Sequence, residues 1–458
     1  MPVGPAVISD YPARVERIRA ELAALPAGTK VRLRKQTSNL FRPREKSPGT
    51  LDAALFDGVI SIDAVGRSAD VGGMTTYEDL VAATLVHGLM PLVVPQLKTI
   101  TLGGAVTGLG IESTSFRNGC PHESVIELDI LTGAGEVVTA RADNEHRELF
   151  FAFPNSFGSL GYALRLRIEL EPVSPYVHLR HVRYADAESA VAALGTICAE
   201  RTHEGEPVDF VDGTWFGADE VYLSLGAFTD TAPHTSDYTG QRIYYRSIQQ
   251  RPEDWLTTSD YLWRWDTDWF WCSRAFGAQN PRLRRIWPGR WRRSDFYWKL
   301  IALNRRVHFA ERLERWHGRP EREEVVQDIE VPIDRVPEFL RFLDTTTGIE
   351  PVWICPLRQR DPNVVWSLYP LDPSVTYVNI GFWSSVALPL GERDGFHNRA
   401  IERKVSALGG RKSLYSTSYY PPEEFWSTYG GDTYAHVRAT YDPDGRLLDL
   451  YDKTVARR

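Results

Sequence analysis

The residues best suited to chemistry lie between Pro95 and Gly119. In the run PQLKTITLGGAVTGLGIESTSFRNG, five glycines (Gly103, Gly104, Gly108, Gly110 and Gly119) alternate with small and β-branched residues and almost no charge. Glycine has no Cβ, so backbone N–H groups can press against a ligand and the chain can adopt positive φ. A run this rich in glycine and hydroxyls, holding the single carboxylate Glu112, suits a cofactor that carries phosphates and a flat ring system. The same spacing also fits a turn-rich loop between strands. Upstream, Thr37, Ser38 and Asn39 follow Lys35 and Gln36. Their hydroxyls and amide can reach a phosphate or close an ordinary Asx or Ser/Thr turn.

These groups need scaffolding, and the flanking patterns supply it. Apolar residues at helical spacing over residues 11–26 predict a helix ending at Pro26. KVRLRK, GVISID and ADVGG read as strands, and TYEDLVAATLVH as a helix opening after Thr75 as its N-cap. SVIELDILT and EVVTA follow the glycines as two parallel or mixed strands. ALRLRIELEPV, alternating strictly from Ala163 to Leu170, closes a first α+β unit at about residue 173. A second α+β unit runs to about residue 405, with strands HLRHVRYA, VVQDIEVPI, PVWICPLR, VVWSLYP and TYVNIGFW and helices over DAESAVAALGTICAE, VPEFLRFLDTT and Phe396–Leu408. Residues 406–458 form a terminal segment returning toward the first unit.

Within the second unit, residues 251–306 hold eight tryptophans, and from Arg274 to Arg306 there are ten Lys or Arg against one acid, Asp295. Such a segment fits a surface for lipid headgroups, with rings at the interface. It equally fits a helical subdomain whose rings pack inward and whose arginines coat the outside. Nucleic acid is disfavoured, because the whole chain carries a net charge of -7. A length of 458 residues allows two or three domains. Cys120, Cys198, Cys272 and Cys355 have no paired spacing, which argues against disulfides and zinc and for a reducing cytoplasm. The N-terminus lacks the order of a signal peptide, and no apolar run approaches the roughly 18 residues of a membrane span.

TITLGGAVTGLGIES resembles the flavin-binding segment of the vanillyl-alcohol oxidase and p-cresol methylhydroxylase type of FAD domain. SIDAVGRSADVGGMTTYEDL, FGSLGYALRLRIEL and YDPDGRLLDLY are similar to further stretches of that family, in the family's order. TLGGAVTGLGIESTSFRNG, EVVQDIEVPI, PVWICPL and EEFW resemble its Δ24-sterol reductase-like branch, and the likeness runs over roughly residues 30–455. Within that branch the chain looks most similar to bacterial reductases of 10-methylene fatty acyl chains, which form tuberculostearate-type lipids. No N-terminal membrane anchor like that of the eukaryotic sterol enzymes is expected, and the TSNLFR loop departs from theirs.

The resemblance implies an α+β fold: a two-part FAD-binding domain of the p-cresol methylhydroxylase type with an α+β substrate (cap) domain. It implies FAD contacts from Lys35, Thr37, Ser38 and Asn39, and from Thr101, Leu102, Gly103, Gly104, Val106, Gly108, Gly110, Ile111, Glu112 and Ser113. The backbone N–H groups of Gly103 and Gly104 would lie closest, and Gly158, Leu160 and Gly161 would line the other side. Family members often tether FAD through a histidine in the first loop or a cysteine before the glycines. Lys35–Leu40 and Pro95–Lys98 contain neither, so the flavin is expected to bind non-covalently. NADPH is the implied reductant, a lipid C=C bond the implied substrate, and the methyltransferase that makes a methylene lipid an implied partner. An alcohol or sugar-acid oxidase is the alternative within the wider family. For the proton such a reduction needs, the candidates are Glu112, Tyr419 and Tyr420, the tyrosines being also ordinary packing residues. The protein is expected to be cytoplasmic, with peripheral membrane contact through 251–306.

Overall fold

The computed structural model describes residues 7–35, 40–42, 48–307 and 320–456. It has the expected α+β architecture, with two large sheets and a cleft that second-sheet strands and the glycine run line. The first sheet is built from Val59–Asp63, Ser68–Gly72, Tyr162–Pro172, Val125–Leu131 and Val137–Arg141 in that spatial order, every pairing antiparallel. Tyr162–Pro172 lies at its centre because alternation gives it one apolar face: Leu164, Leu166, Ile168 and Leu170 are buried. On the other face Arg165 donates to Asp129 (2.8 Å) and Glu127 (2.6 Å) and reaches Asp70. Asp129 also accepts from the Tyr11 hydroxyl at 2.7 Å, which ties the N-terminal helix Tyr11–Ala23 to the sheet.

The second sheet has eight strands, in the order Glu253–Thr257, Tyr176–Tyr184, Glu220–Thr229, Phe210–Gly217, Val352–Leu357, Tyr377–Ala387, Arg322–Pro332 and Arg411–Lys412. Register decides what each face carries, since residues opposite one another share a face. Asp328 pairs with Gly381 and Glu330 with Asn379, while Trp353 also pairs with Gly381. Asp328, Glu330, Asn379 and Trp353 therefore share the face turned to the cleft. Val325, Ile329 and Val331 occupy the opposite face, in one core with residues of helices Ala187–Glu200, Val336–Thr347 and Phe396–Ala407.

The chain beyond Arg411 runs back across the first unit. Tyr415 O accepts from Phe41 N (3.0 Å), and Arg446 O accepts from Val31 N (2.9 Å). Lys453 Nζ reaches the carbonyls of Phe157 and Gly158 at 3.0 and 2.9 Å. This return forms helices Pro422–Thr428 and Gly431–Tyr441, too short for their periodicity to stand out in the sequence.

Several local expectations change. The helix after the second strand runs Tyr77–Leu85 and is capped by Thr76, which accepts from Asp79 N. Thr75 is instead buried, bonded to both N and O of Gly58. The strands Val125–Leu131 and Val137–Arg141 are antiparallel neighbours. VVWSLYP forms turns rather than a strand. The glycine run is not an open loop but two short helices, Leu102–Gly108 and Ser115–Asn118.

In the 251–306 segment the rings mostly turn inward. Trp263, Trp265, Trp269 and Trp271 are buried, as are Arg264, Arg284 and Arg292, so the arginines do not simply coat the outside. Among the described residues no helix is long and apolar enough to cross a membrane.

Phe382 is fully buried between the second sheet and its helices, near Phe339. Phe382→Ala is expected to lower unfolding free energy by about 3–5 kcal/mol, read from urea denaturation, because the cavity cannot fully collapse.

Candidate functional site

A cavity with two adjoining lobes of opposite character lies between the glycine run and the second sheet. Lys35, Leu40, Gly104 and Phe157 line both. One lobe is basic: Arg32, Lys35, Arg42 and Lys453 line it together with Gly103, Gly158, Gly161 and Ala163. The other is aromatic, walled by Phe41, Trp269, Phe270, Trp353 and Trp383, with Thr101, Gly108, Gly110 and Ile111 as its floor. Phe41 stacks on Trp298 with centroids 4.9 Å apart, and Phe270 packs on Trp383 at 4.5 Å.

Trp269 and Phe270 reach the cavity from an unusual turn. Asp268, Trp269 and Phe270 have φ of 67°, 46° and 58°, three consecutive left-handed residues without a glycine. Such conformations cost on the order of 1–3 kcal/mol each and persist where the surroundings over-determine them. Here the Asp268 carboxylate is clasped by the buried Arg284 guanidinium at 2.6 and 2.7 Å, and Asp268 N donates to Arg292 O at 2.8 Å.

The second sheet and the returning C-terminal segment add four polar groups that sequence reasoning missed. Asp328, Glu330, Asn379 and Tyr415 line the aromatic lobe. Glu330 is fully buried, while Asp328 is partly open to the cavity. Asn379 Nδ2 donates to Asp328 Oδ1 at 3.4 Å, and Trp383 Nε1 donates to the Tyr415 hydroxyl at 3.1 Å. The Tyr369 hydroxyl donates to Glu330. Burial pushes the Asp328 carboxyl up to about 7, against hydrogen bonds from Asn379 and Tyr415 that favour its charged form. Burial, and then the nearby Asp328 charge, raises Glu330 well above the usual carboxylate range. The sequence did hold a signal: EVVQDIEVPI places acids two apart, on one face of a strand whose other face is apolar.

The predicted residues divide. Lys35, Thr101, Gly103, Gly104, Gly108, Gly110, Ile111, Gly158 and Gly161 line the cavity. Thr37, Ser38 and Asn39 lie outside the described residues. Leu102, Val106 and Leu160 are buried in the core. The Gly103 and Gly104 N–H groups are not an open nest, because they donate to Gly73 O (2.9 Å) and Thr101 Oγ1 (3.2 Å). An added Cβ at Gly103 would sit 2.6 Å from Gly73 O, so this glycine serves close backbone packing.

The three nominated proton donors are also displaced. Glu112 neither faces solvent nor lines the cavity. It is buried, accepts from Ser113 Oγ at 2.9 Å, and lies 3.4 Å from Arg264; burial pushes its carboxyl up to about 7. Ser113 in turn shares a hydrogen bond with the Tyr261 hydroxyl. Tyr419 packs beside Arg399 with its hydroxyl on Asp394, and Tyr420 is buried against Tyr429. Neither tyrosine lines the cavity. All three groups instead sit in packing and hydrogen-bond contacts away from the cavity lining.

Residues 8–141 match the model of an FAD binding domain. The chain is 26% identical over 418 residues to the Δ24-sterol reductase of Homo sapiens, spanning 86% of this chain and 75% of that protein. It is 22% identical over 446 residues to the Δ24-sterol reductase of Arabidopsis thaliana, covering 89% and 77% of the two chains. Cytokinin dehydrogenase 6 of Oryza sativa subsp. japonica is 34% identical over 160 residues, about a third of each chain (34% and 30%). The matched segment and these relatives support an FAD-binding oxidoreductase.

The residues fit that cofactor. Four cations gather around one lobe of a net-acidic protein, as an anionic diphosphate requires, beside small residues that leave room for it. In the aromatic lobe, buried Gln96 Nε2, Glu330 Oε1 and Asn379 Oδ1 have no protein partner among the described residues, and a flat ring bearing donors and acceptors can satisfy such atoms. Among the described residues there is no cluster suited to a metal ion.

Behind the cavity, Asp212 Oδ2 accepts from Arg264 (2.8 Å), Trp265 Nε1 (2.9 Å) and Trp353 Nε1 (3.2 Å), all buried. Arg264→Met leaves that carboxylate without its cation. The expected loss is about 3–5 kcal/mol of unfolding free energy, measured by chemical denaturation.

Proposed function

We propose that this protein reduces an isolated C=C bond in a lipid, with FAD held non-covalently and NADPH as the electron source. The observation that carries the reading is Asp328: a carboxyl titrating near neutrality, on the wall of an aromatic cavity adjoining the basic lobe. Two substrates share this chemistry. A methylene-branched acyl chain, such as a 10-methylene-stearoyl group becoming 10-methyl, follows from the sequence resemblance. A sterol side-chain alkene follows from what the relatives are named for.

When bound, FAD would supply the hydride, with NADPH as the source of its electrons. The chain's own residues supply the rest. An isolated alkene has no carbonyl to take up charge, so protonation at one carbon leads and leaves positive charge on the more substituted one. Asp328 delivers that proton, and a donor works best with a pKa near the working pH. Asn379 and Tyr415 fix the carboxyl by hydrogen bonds. The faces of Trp269, Phe270, Trp353 and Trp383 shield the developing cation, which aromatic rings attract. The same apolar wall keeps water from trapping it. One alkene, one hydride and one proton give the saturated product, and NADPH leaves as NADP+. Thr101 and Gln96, also on the wall, orient what binds.

The test is anaerobic incubation of purified protein, FAD and NADPH with each lipid, read by mass spectrometry. A two-dalton gain in one lipid supports the reading and chooses between the substrates; no gain in either, with the flavin reduced, rejects it. Asp328→Asn is expected to leave flavin reduction by NADPH intact but slow alkene-dependent reoxidation by about 10²–10⁴-fold. In the wild type that step should weaken as pH rises through about 7, because the carboxyl must hold its proton to donate it. The variant should lose this limb.

A further inference from the structure

Among the described residues, exposed large apolar side chains are mostly solitary: Val7, Val65, Val86, Ile126, Val365 and Leu390 stand far apart in the chain. The exception is one span of nine residues in the tryptophan-rich segment, where Leu283, Ile286 and Trp291 are 44%, 78% and 40% exposed. Helix Pro281–Ile286 turns Arg284 inward to Asp268, which sends Leu283 and Ile286 outward one turn apart. Arg282, Arg285 and Arg290 are exposed around them and form no ion pair with a described carboxylate. The surface is therefore apolar at its centre and cationic at its rim, on a protein whose net charge is -7.

The patch also connects to the cavity. Trp291 stacks on Phe296 with centroids 5.2 Å apart and planes 2° from parallel, and Phe296 leans on Tyr297. Two residues beyond Phe296 on the same helix, Ser294–Val307, Trp298 stacks on Phe41, which lines the aromatic lobe. One helix thus carries Phe296 against the exposed Trp291 and Trp298 against the cavity wall.

We propose that Leu283, Ile286 and Trp291, rimmed by Arg282, Arg285 and Arg290, dock the protein on a bilayer carrying anionic headgroups. The apolar side chains enter the headgroup–acyl boundary while the guanidiniums engage phosphates, the division of labour seen at membrane interfaces. A membrane fits both halves of the patch, whereas a protein partner would need acids placed to meet each arginine. Docking here brings the helix that carries Trp298 against the cavity wall close to where an acyl chain or sterol resides. Only that delivery step rests on the lipid-reductase reading; the docking is measured without turnover.

The experiment is co-sedimentation of the full-length protein with vesicles of phosphatidylcholine alone, or with added phosphatidylglycerol. Wild type should partition onto the anionic vesicles, less so at high salt. Reversing two rim charges in Arg282→Glu/Arg285→Glu should weaken partitioning by at least ~30-fold, at about tenfold per 1.4 kcal/mol and roughly 1 kcal/mol per cation. Ile286→Glu should weaken binding even at low salt. All three positions are exposed, and turnover of detergent-dispersed lipid should be unchanged in these variants. Failure of the wild type to bind, or variants that bind as it does, overturns the proposal. Concentration-dependent self-association abolished by Ile286→Glu, with no vesicle binding, would overturn it in favour of a second copy of this chain. Vesicle binding without any lipid reduction would leave the docking intact and remove the enzymatic reading alone.

Discussion

The Asp212 carboxylate is the point on which the arrangement of the two units depends. One of its oxygens accepts from a guanidinium and two indoles, all taken out of water. The three donors come from distant parts of the chain: Arg264 and Trp265 from the tryptophan-rich excursion, Trp353 from a neighbouring strand of the cap sheet. Arg264 also faces Glu112 of the FAD unit and lies 4.0 Å from the Tyr261 ring centroid. A buried charge held by this many partners strongly penalises any shift that would break them. The excursion is thereby pinned between the second sheet and the glycine run, and its next residues, Trp269 and Phe270, emerge into the cavity through the left-handed turn that Arg284 clasps. Removing water from these groups is costly, and the return is a fixed aromatic wall.

The glycine run works on both sides of that contact. Its first half, from Thr101 to Ile111, gives a thin wall to the cavity, with Gly110 wedged between Pro95 and Pro121. Its second half joins the units: Ser113 O accepts from Val211 N at 2.8 Å, and Ser115 O accepts from Arg358 N at 3.2 Å. Arg117 reaches Asp209 O while pairing with Glu171. Composition marked this stretch as special and its family likeness gave the cofactor. Nothing local distinguished wall from joint, because that depends on which strand lies opposite.

The same limit explains what else was legible. Strands such as Tyr162–Pro172 and Arg322–Pro332 announced themselves by alternation, which is a local property of the pleat. Alternation also says that Asp328 and Glu330 share a face, but not that the face looks into a cavity rather than into water. That follows from pairing with Asn379 and Gly381 some fifty residues on, and from Tyr415 arriving on the returning C-terminal segment. The tryptophans left two readings open for a related reason. Rings among arginines suggest an interface, yet here Arg264 and Arg284 are drawn inside by Asp212 and Asp268, and most rings follow them. What remains outside is the short apolar strip with its cationic rim.

The opposite characters of the two lobes suit one reaction better than either would alone. The basic lobe can neutralise an anionic diphosphate, while in the proposed reaction the aromatic lobe would host a proton transfer without holding an open anion. Burial raises both Glu330 and Asp328, so under that proposal neither need stand as a carboxylate before an alkene binds. An ionised carboxylate beside a carbocation would add to it or take a proton back. Aromatic faces lower the cation's energy and do neither. Once Asp328 has given its proton, the anion left behind favours the reverse step, and the stabilisation it gains from Asn379 and Tyr415 limits that pull. Glu330, two residues along the same face, is also raised by burial and by the Asp328 charge, which disfavours a second negative charge on the wall. In the proposed reaction, then, burial of both acids keeps the wall no more anionic than one proton transfer makes it.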